Sequence, residues 1–526
     1  ATGAQIPVGE LALNYGLTDS LQAFPLNSLM TTIQTTINNT SITLNIQDVL
    51  PQILRMYDHK RLVRYNSATP AMPDMYFFNY GDSIGSLACP MNSFSNLNYD
   101  NKLVPRGCFP IQILSVVQYN NAGGVVNNSL ESTNLGNYFI VQLQFTTIEP
   151  LIGLSPFSNS ESNDQAGFLG INNLTIQCNI DSTCKRVWST ANTDSQYYNV
   201  SLYTPAGQTS PFTNCQLLMN FLSLQPSQYA KIQAKNVLPF LNINRYLFTA
   251  TSQINAATRV VNNGVATYNY NSSTIAFSNI QLNQIPDLMI IVARIPMSQQ
   301  TVKNSSSFLT INNITINFNN QSGILASATP LELFHLSQKN GSNQTYYEFI
   351  GQGYSNINDG ATAGQGFIVQ TCGSMLVLNP SMDFGLPEYY TASSGGQYNF
   401  QFNITVINQS STDITPEICL ICLNSGLFIT ENGVSSYETG ILTREVVLNA
   451  KNNKPSSMSS KMYERIIGGN LMNIKALGHM FKHHHKDHHH GGAMSAGSDI
   501  ADGMDDNGGA MSAGKMRLHK FIRKHK

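Results

Sequence analysis

Charge is scarce in this chain. Only 11% of its 526 residues are Asp, Glu, Lys or Arg, against roughly 25% in an ordinary soluble protein. The polar surface must therefore come from Asn, Ser, Thr and Gln. Such groups cost less to desolvate than ions, which suits wide neutral contacts between many copies. Cysteine is also sparse. Cys89, Cys108, Cys178, Cys184, Cys215, Cys372, Cys419 and Cys422 are scattered, too thinly for a disulfide scaffold. Cys419 and Cys422 have CxxC spacing, but they lie in the apolar stretch Ile418–Leu423. That stretch reads as a buried strand with free thiols, since a zinc site would need a second pair of ligands. Reduced thiols point to assembly inside a cell. The longest strongly apolar run, Leu288–Ala293, is far too short to span a bilayer. The opening residues Ala1–Pro7 have neither a basic start nor an apolar run, so they do not read as a signal peptide.

Catalytic signatures are missing as well. Residues 1–450 contain two histidines, His59 and His335. No HExxH or Walker string appears. The expectation is a protein that is not an enzyme, with no catalytic residues, no metal site and no cofactor. Asn39, Asn173, Asn199, Asn313, Asn343 and Asn403 begin Asn-x-Ser/Thr triplets. In a chain this rich in Asn and Thr, chance supplies most of them.

What the body does contain is short alternating strands. Tyr138–Phe145 alternates from Val141 onward, Phe400–Val406 alternates throughout, and Leu309–Ile311 and Ile314–Phe318 do the same. Period-two alternation buries one face and wets the other. Gly123-Gly124, Asn263-Gly264 and Gly395-Gly396 read as turns, and Ser158–Gln165 and Ser355–Gly366 as long polar loops. One early helix is expected, capped by Asp48, with Val49, Leu50, Ile53, Leu54 and Tyr57 on one side and Pro51 in its first turn. The body also repeats itself. Phe168–Ile176 recurs as Phe308–Ile316, and Thr36–Thr43 is a looser copy, each with Asn-Asn at a kink. Many short strands at this spacing indicate an all-β fold of sandwiches or barrels.

The pattern Phe24-Pro25-Leu26-Asn27-Ser28-Leu29 runs into Ile37-Asn38-Asn39. It is followed by Asp48-Val49-Leu50-Pro51 and Tyr65-Asn66-Ser67-Ala68-Thr69-Pro70. With a body of about this length built from two successive β units, the chain resembles the double jelly-roll major capsid proteins of adenovirus-like, polinton-like and virophage-type DNA viruses. The resemblance implies two consecutive jelly-roll β-sandwiches with short helices in loops, over residues 1–240 and 241–450, and a flexible basic tail over 451–526. It implies a homotrimer that builds an icosahedral shell in the virion. Its implied partners are penton and minor capsid proteins, a viral cysteine protease and packaged nucleic acid. A single jelly-roll RNA-virus coat with a projecting domain fits the length too, and a secreted β-sandwich binding module fits the composition.

The tail differs from the body in charge. Residues 1–450 hold 16 Lys+Arg against 24 Asp+Glu, whereas residues 451–526 hold 13 against 6 and 9 of the 11 His. Such asymmetry suggests a segment that meets a polyanion or a membrane. Ile466-Ile467-Gly468-Gly469-Asn470 is similar to the sites cut by adenovirus-type maturation proteases. Farther on, Gly491–Gly497 (GGAMSAG) is repeated at Gly508–Gly514. Glycine beside a scissile bond lets an extended chain enter a narrow tunnel where a Cβ would clash. The candidate cleavage glycines are Gly469, Gly492, Gly497, Gly509 and Gly514. A flexible linker yields the same dipeptides. The last twelve residues carry Lys515, Arg517, Lys520, Arg523, Lys524 and Lys526 as candidate nucleic-acid contacts. Ile467, Leu471, Ile474 and Phe481 recur at helical spacing among basic residues, an alternative membrane contact weakened by Gly468, Gly469 and Gly478. The runs His483–His485 and His488–His490 lack the fixed geometry of a metal site. They titrate near pH 6.5 and would make the tail more basic on acidification.

Overall fold

The computed structural model describes residues 15, 19–66, 68–73, 109–119, 125–127, 138–152, 169–190, 199–219, 235–262, 265–302, 304–355, 367–387, 390–410 and 412–440. The first part of the chain carries β1 (Asp19–Leu21), β2 (Met30–Ile37), β3 (Thr40–Leu44), β4 (Ile111–Tyr119), β5 (Val125–Asn127), β6 (Tyr138–Phe145), β7 (Leu174–Ile180) and β8 (Trp188–Thr190). Three short helices accompany them, α1 (Pro25–Leu29), α2 (Ile46–Met56) and α3 (His59–Tyr65). The strands form the sheets β3-β2-β7 and β5-β4-β6 and the pair β1-β8.

The second part begins with β9 (Lys235–Thr249), the hairpin β10 (Thr258–Asn262) and β11 (Val265–Asn269), then β12 (Asn271–Ala276), β13 (Ile280–Gln284), β14 (Leu288–Arg294), β15 (Thr310–Phe318) and β16 (Gln321–Ile324). Helices α4 (Pro330–Lys339) and α5 (Tyr346–Phe349) follow, then β17 (Gln352–Ser355), β18 (Phe367–Gln370), β19 (Leu376–Leu378) and α6 (Pro380–Asp383). The long strands β20 (Gly395–Asn408) and β21 (Glu417–Glu431) and the shorter β22 (Val434–Thr439) close the part. One five-stranded sheet is ordered β12-β20-β15-β16, with β13 also on β20. The other is ordered β19-β14-β21-β22, with β9 also on β21.

These two sheets face each other. Along β20, Tyr398, Phe400, Phe402, Ile404 and Val406 are buried, while Asn399, Gln401 and Asn403 between them are exposed. The inward set meets Met289, Ile291 and Ala293 of β14 and Ile418, Leu420 and Cys422 of β21 in one core. The intervening residues of those strands point the other way. Leu288, Ile290, Val292, Cys419, Ile421 and Leu423 pack against Met30, Ile33, Leu50 and Leu54 of the first part. The β14–β21 sheet is thus covered on both faces. This is why its strands are continuous apolar runs rather than alternating ones. Cys419 and Cys422, an odd number of residues apart on a strand, lie on opposite faces. They are free thiols and cannot share one metal ion.

Local chemistry explains the short helices. Thr329 and Glu332 form a reciprocal cap at α4, the Glu332 N–H donating to Thr329 Oγ1 at 3.3 Å and the Thr329 N–H to Glu332 Oε2 at 2.7 Å. Thr345 and Glu348 repeat this at α5 with the same two distances. Asn432 and Gly433, at φ 50° and 79°, make the two-residue turn between β21 and β22.

Several expectations need correction. The early helix starts at Ile46, with Asn45 as its N-cap residue, and Pro51 lies inside it. Pro51 has no N–H to give to the Gln47 carbonyl one turn back, and Arg186 Nη1 donates to that carbonyl instead. Leu309–Ile311 and Ile314–Phe318 belong to one bulged strand, β15, with its register shift between Ile311 and Asn313. Gly395-Gly396 opens β20 instead of forming a turn. The backbone of Gly440 leaves no room for a Cβ at Gly395, its carbonyl lying 2.5 Å from where one would sit. The two earlier Asn-Asn copies are partners: β2 pairs with β7 from Ile37–Leu174 back to Met30–Ile180. The third lies at the β15 bulge, in a different local structure. Strand β9 runs through residue 240 without a break and pairs with β21 along all its 15 residues.

Candidate functional site

The most elaborate contact among the described residues joins the two parts of the chain. Helix α2 lies against the back of the β14–β21 sheet because its apolar side, Val49, Leu50 and Leu54, joins that core. On the same helix Asp48 is buried. Its Oδ1 accepts from Arg294 Nη2 at 2.5 Å, and its Oδ2 from Arg245 Nη1. Arg294 also donates to Glu417 Oε2, at 2.8 Å from Nε and 2.6 Å from Nη2. Burial opposes the charge on Asp48, but Arg294 and Arg245 outweigh it and hold the carboxyl below its ordinary value. One buried carboxylate from α2 thereby ties β9 and β14 to the first part of the chain.

A second tie lies alongside. Arg55 of α2 donates from Nη2 to the Ser306 carbonyl at 2.9 Å and stacks over the Phe308 ring, 4.9 Å from its centroid. Arg186 donates from Nε to the Ser305 carbonyl at 2.9 Å. Gln22 Nε2 reaches Ser305 Oγ at 2.9 Å, and Ser306 Oγ returns a bond to Gln22 Oε1 at 3.1 Å.

The third tie is built from asparagines. Asn38, at φ 51°, turns the β2–β3 hairpin. Its side-chain oxygen accepts from the N–H groups of Asn172 and Asn173, at 2.8 and 3.3 Å, and its Nδ2 donates to Gly170 O at 3.0 Å. Asn39 Oδ1 accepts from the Ser435 N–H at 2.7 Å, and Thr430 Oγ1 donates to Leu169 O at 2.8 Å. Beneath these turns Ile37, Ile42, Phe240 and Phe428 form a small apolar cluster. Sequence reading singled out these asparagines for their turn chemistry. It missed Asp48, Arg245, Arg294 and Glu417 as a set, because their sequence separations carry no pattern.

The exposed side of the β12–β20 pair is neutral among the described residues. Thr274 and Thr405 share a hydrogen bond of 2.9 Å on the exposed side of the β12–β20 pair, flanked by Asn403 and Gln401. The candidate cleavage glycines Gly469, Gly492, Gly497, Gly509 and Gly514 lie outside the described residues, as do Lys515, Arg517, Lys520, Arg523, Lys524 and Lys526. So do Gly123-Gly124, Asn263-Gly264 and residues 158–165. The His335 ring stands 5.6 Å from that of Phe334 on α4. Among the described residues no helix is long and apolar enough to cross a membrane, and no cluster of three His, Cys, Asp or Glu could hold a metal.

Among the described residues, two parts of the chain are thus locked through a sheet covered on both faces, the architecture of a double β-sandwich protein. Two family models match the chain in succession. Residues 1–222 match the Sputnik virophage major capsid protein 1st domain, and residues 244–426 match the major capsid protein V20 C-terminal domain. A relative in Sputnik virophage, described as capsid protein V20, is 23% identical over 465 residues, covering 86% of this chain and 70% of its own. The cryo-EM structure of the Sputnik virophage shares its fold, with a TM-score of 0.63 at 19% identity over 88% of this chain and 84% of that one. The mavirus major capsid protein crystal structure gives a TM-score of 0.56 at 14% identity over 86% and 84%. The chain belongs to the double jelly-roll major capsid proteins of the virophage type. It is a structural protein of the virion, assembled in the host cell, and not an enzyme. The single jelly-roll coat and the secreted binding module are thereby set aside.

Proposed function

We propose that this chain forms homotrimeric capsomers that tile an icosahedral shell, with residues 451–526 facing the packaged genome. The observation that carries the reading is the sheet covered on both faces: it fuses two sandwiches into one stiff block. Low charge supports it, since neutral Asn, Gln and Thr faces are cheap to desolvate between copies. We divide the chain into a first jelly-roll, a second jelly-roll and a basic tail. The proposed bounds are 1–240, 241–450 and 451–526, and the start of β9 at Lys235 supports a first division close to that point. Penton and minor capsid proteins would meet the outer faces of the shell subunit.

The tail has two proposed roles. Lys515, Arg517, Lys520, Arg523, Lys524 and Lys526 neutralise phosphates, and a viral cysteine protease cuts after one or more of Gly469, Gly492, Gly497, Gly509 and Gly514 during maturation. Six phosphate contacts would give log K against log salt a slope of about −5 on duplex DNA. A titration of the full chain on DNA at several salt concentrations reads that slope directly. Intact mass of the chain from native particles, with particle size by light scattering, tests the rest. Large particles whose chains end at one of those glycines support assembly and processing. Large particles with full-length chains remove the processing step, and small species under native conditions overturn the shell. Leakage of liposomes by a peptide spanning residues 462–482 would point the tail to membranes instead.

A further inference from the structure

The sheet ordered β12-β20-β15-β16, with β13 also on β20, carries no charge at all. Its strands and their hairpin turns occupy residues 271–284, 310–324 and 395–408, and none of these stretches contains Asp, Glu, Lys or Arg. The other large sheet is different: Lys235, Arg245, Arg294, Glu417, Glu431 and Glu438 lie on its strands. A solvated sheet face ordinarily intersperses charges of both signs. Folding does not ask for this exception. Asn is a poor strand former, yet Asn399 and Asn403 stand exposed within β20.

Register gathers the polar groups into one field. Gln281 stands beside Asn399, Gln401 beside Asn317, and Thr405 between Thr274 and Asn313. The side-chain amides of Gln281, Asn399, Gln401 and Asn403 are on exposed residues and bond to no other described residue. The 14 residues of β20 run roughly 46 Å at about 3.3 Å each. Four columns of strands about 4.8 Å apart make the face roughly 19 Å wide. The patch, up to roughly 900 Å², is comparable to the roughly 800 Å² that each partner gives to a specific interface.

Symmetry decides what such a face can meet. Across a two-fold axis the same patch lies on both sides, and residues near the axis meet their own copies. A charge there would confront its like out of water, which is heavily penalised. An amide or hydroxyl escapes this, because it can donate to its copy and accept in return. We propose that the outward face of this sheet is a self-complementary contact, docking on the same face of a second copy of the chain across a two-fold axis. The inference rests on the shell reading above. A three-fold capsomer contains no two-fold, so the contact lies between neighbouring capsomers.

The test uses the full-length chain with Gln401, exposed near the middle of β20, changed to Lys or to Glu. Tm and the native mass of the capsomer should stay as in the wild type. Shell yield by light scattering should fall roughly tenfold or more for both variants at low salt, and recover in part at high salt. Equal harm from opposite charges marks a face that meets itself, whereas a different partner surface would favour one sign. Cysteine placed singly at Asn399, Gln401 and Asn403 gives a second readout. After copper-catalysed air oxidation, shells of at least one variant should yield covalent chain dimers that wild-type shells and isolated capsomers lack. Wild-type shell yield from either charged variant, loss with one sign only, or no dimers from any of the three cysteine variants would overturn the contact. Wild-type chain that builds no shells would remove the shell reading itself, and this contact with it.

Discussion

Arg294 is the side chain on which the contact turns. It is 1% exposed and serves two carboxylates at once. Arg294→Met should cost about 3–5 kcal/mol in a denaturant titration, because it strands Asp48 and Glu417 away from water. Replacing the ion cluster together with apolar groups of matching volume should cost far less, since the penalty belongs to the unpaired charge. Two buried carboxyls respond to pH in opposite senses. Asp48 is held below its ordinary 3.8, so its stabilisation is present above that value and lost as pH falls through the lower folded value. Burial raises Glu348 above 4.5, so the folded chain takes up its proton more readily and gains stability as pH drops toward that raised value. Urea midpoints of wild type and Glu348→Gln, followed from neutral pH downward, should therefore converge as the pH falls. Midpoints that stay parallel would show that Glu348 does not titrate in this range. Thiols offer a simpler probe. Burial pushes Cys372 up to about 11 and Cys419 up to about 12, whereas Cys215 is exposed. A thiol reagent should label Cys215 in the native chain and reach Cys372 and Cys419 only on unfolding.

Among the elements, the doubly covered sheet carries the largest expected losses. Ile290 and Ile421 face the first part and are fully buried. Truncating either to Ala should cost about 2–5 kcal/mol, and Thr274→Ala on the exposed face well under one. At the β21–β22 turn, Gly433→Ala meets a positive φ, and its Cβ would lie 2.2 Å from Asn172 Nδ2. A cost of about 1–3 kcal/mol is expected there, read as an earlier denaturation midpoint. Legibility in the sequence followed the same division. Phe400–Val406 announced itself because it has one wet face and so alternates, and Tyr138–Phe145 was readable as a strand from its sequence alternation. Ile418–Leu423 was readable as a buried strand and Leu288–Ala293 only as a short apolar run, and nothing in a continuous apolar run says that its two faces serve different neighbours. The start of α2 was misread because Asp48 looks like a cap, and its real partners, Arg245 and Arg294, are remote in sequence. The Asn-Asn copies showed their turn chemistry, yet not that two of them would bond to each other.

For the molecule as a whole, membership in the capsid family and the double-sandwich architecture were approachable from composition, strand spacing and the two-unit length. The interlock between the units was not, because it depends on residues paired across more than a hundred positions. That interlock also sets a timetable for synthesis. Strand β9 is complete at Thr249, but its only partner among the described strands begins at Glu417. At translation rates of about 5–20 residues per second, β9 waits roughly 10–30 s with a long unpaired edge. The face of α2 that will meet β14 and β21 waits longer still. A nascent chain in this condition is a natural client for host chaperones, and one truncated before residue 417 should be recovered from cells in aggregates. Virus yield would then be limited by how long the host can shelter an unfinished subunit.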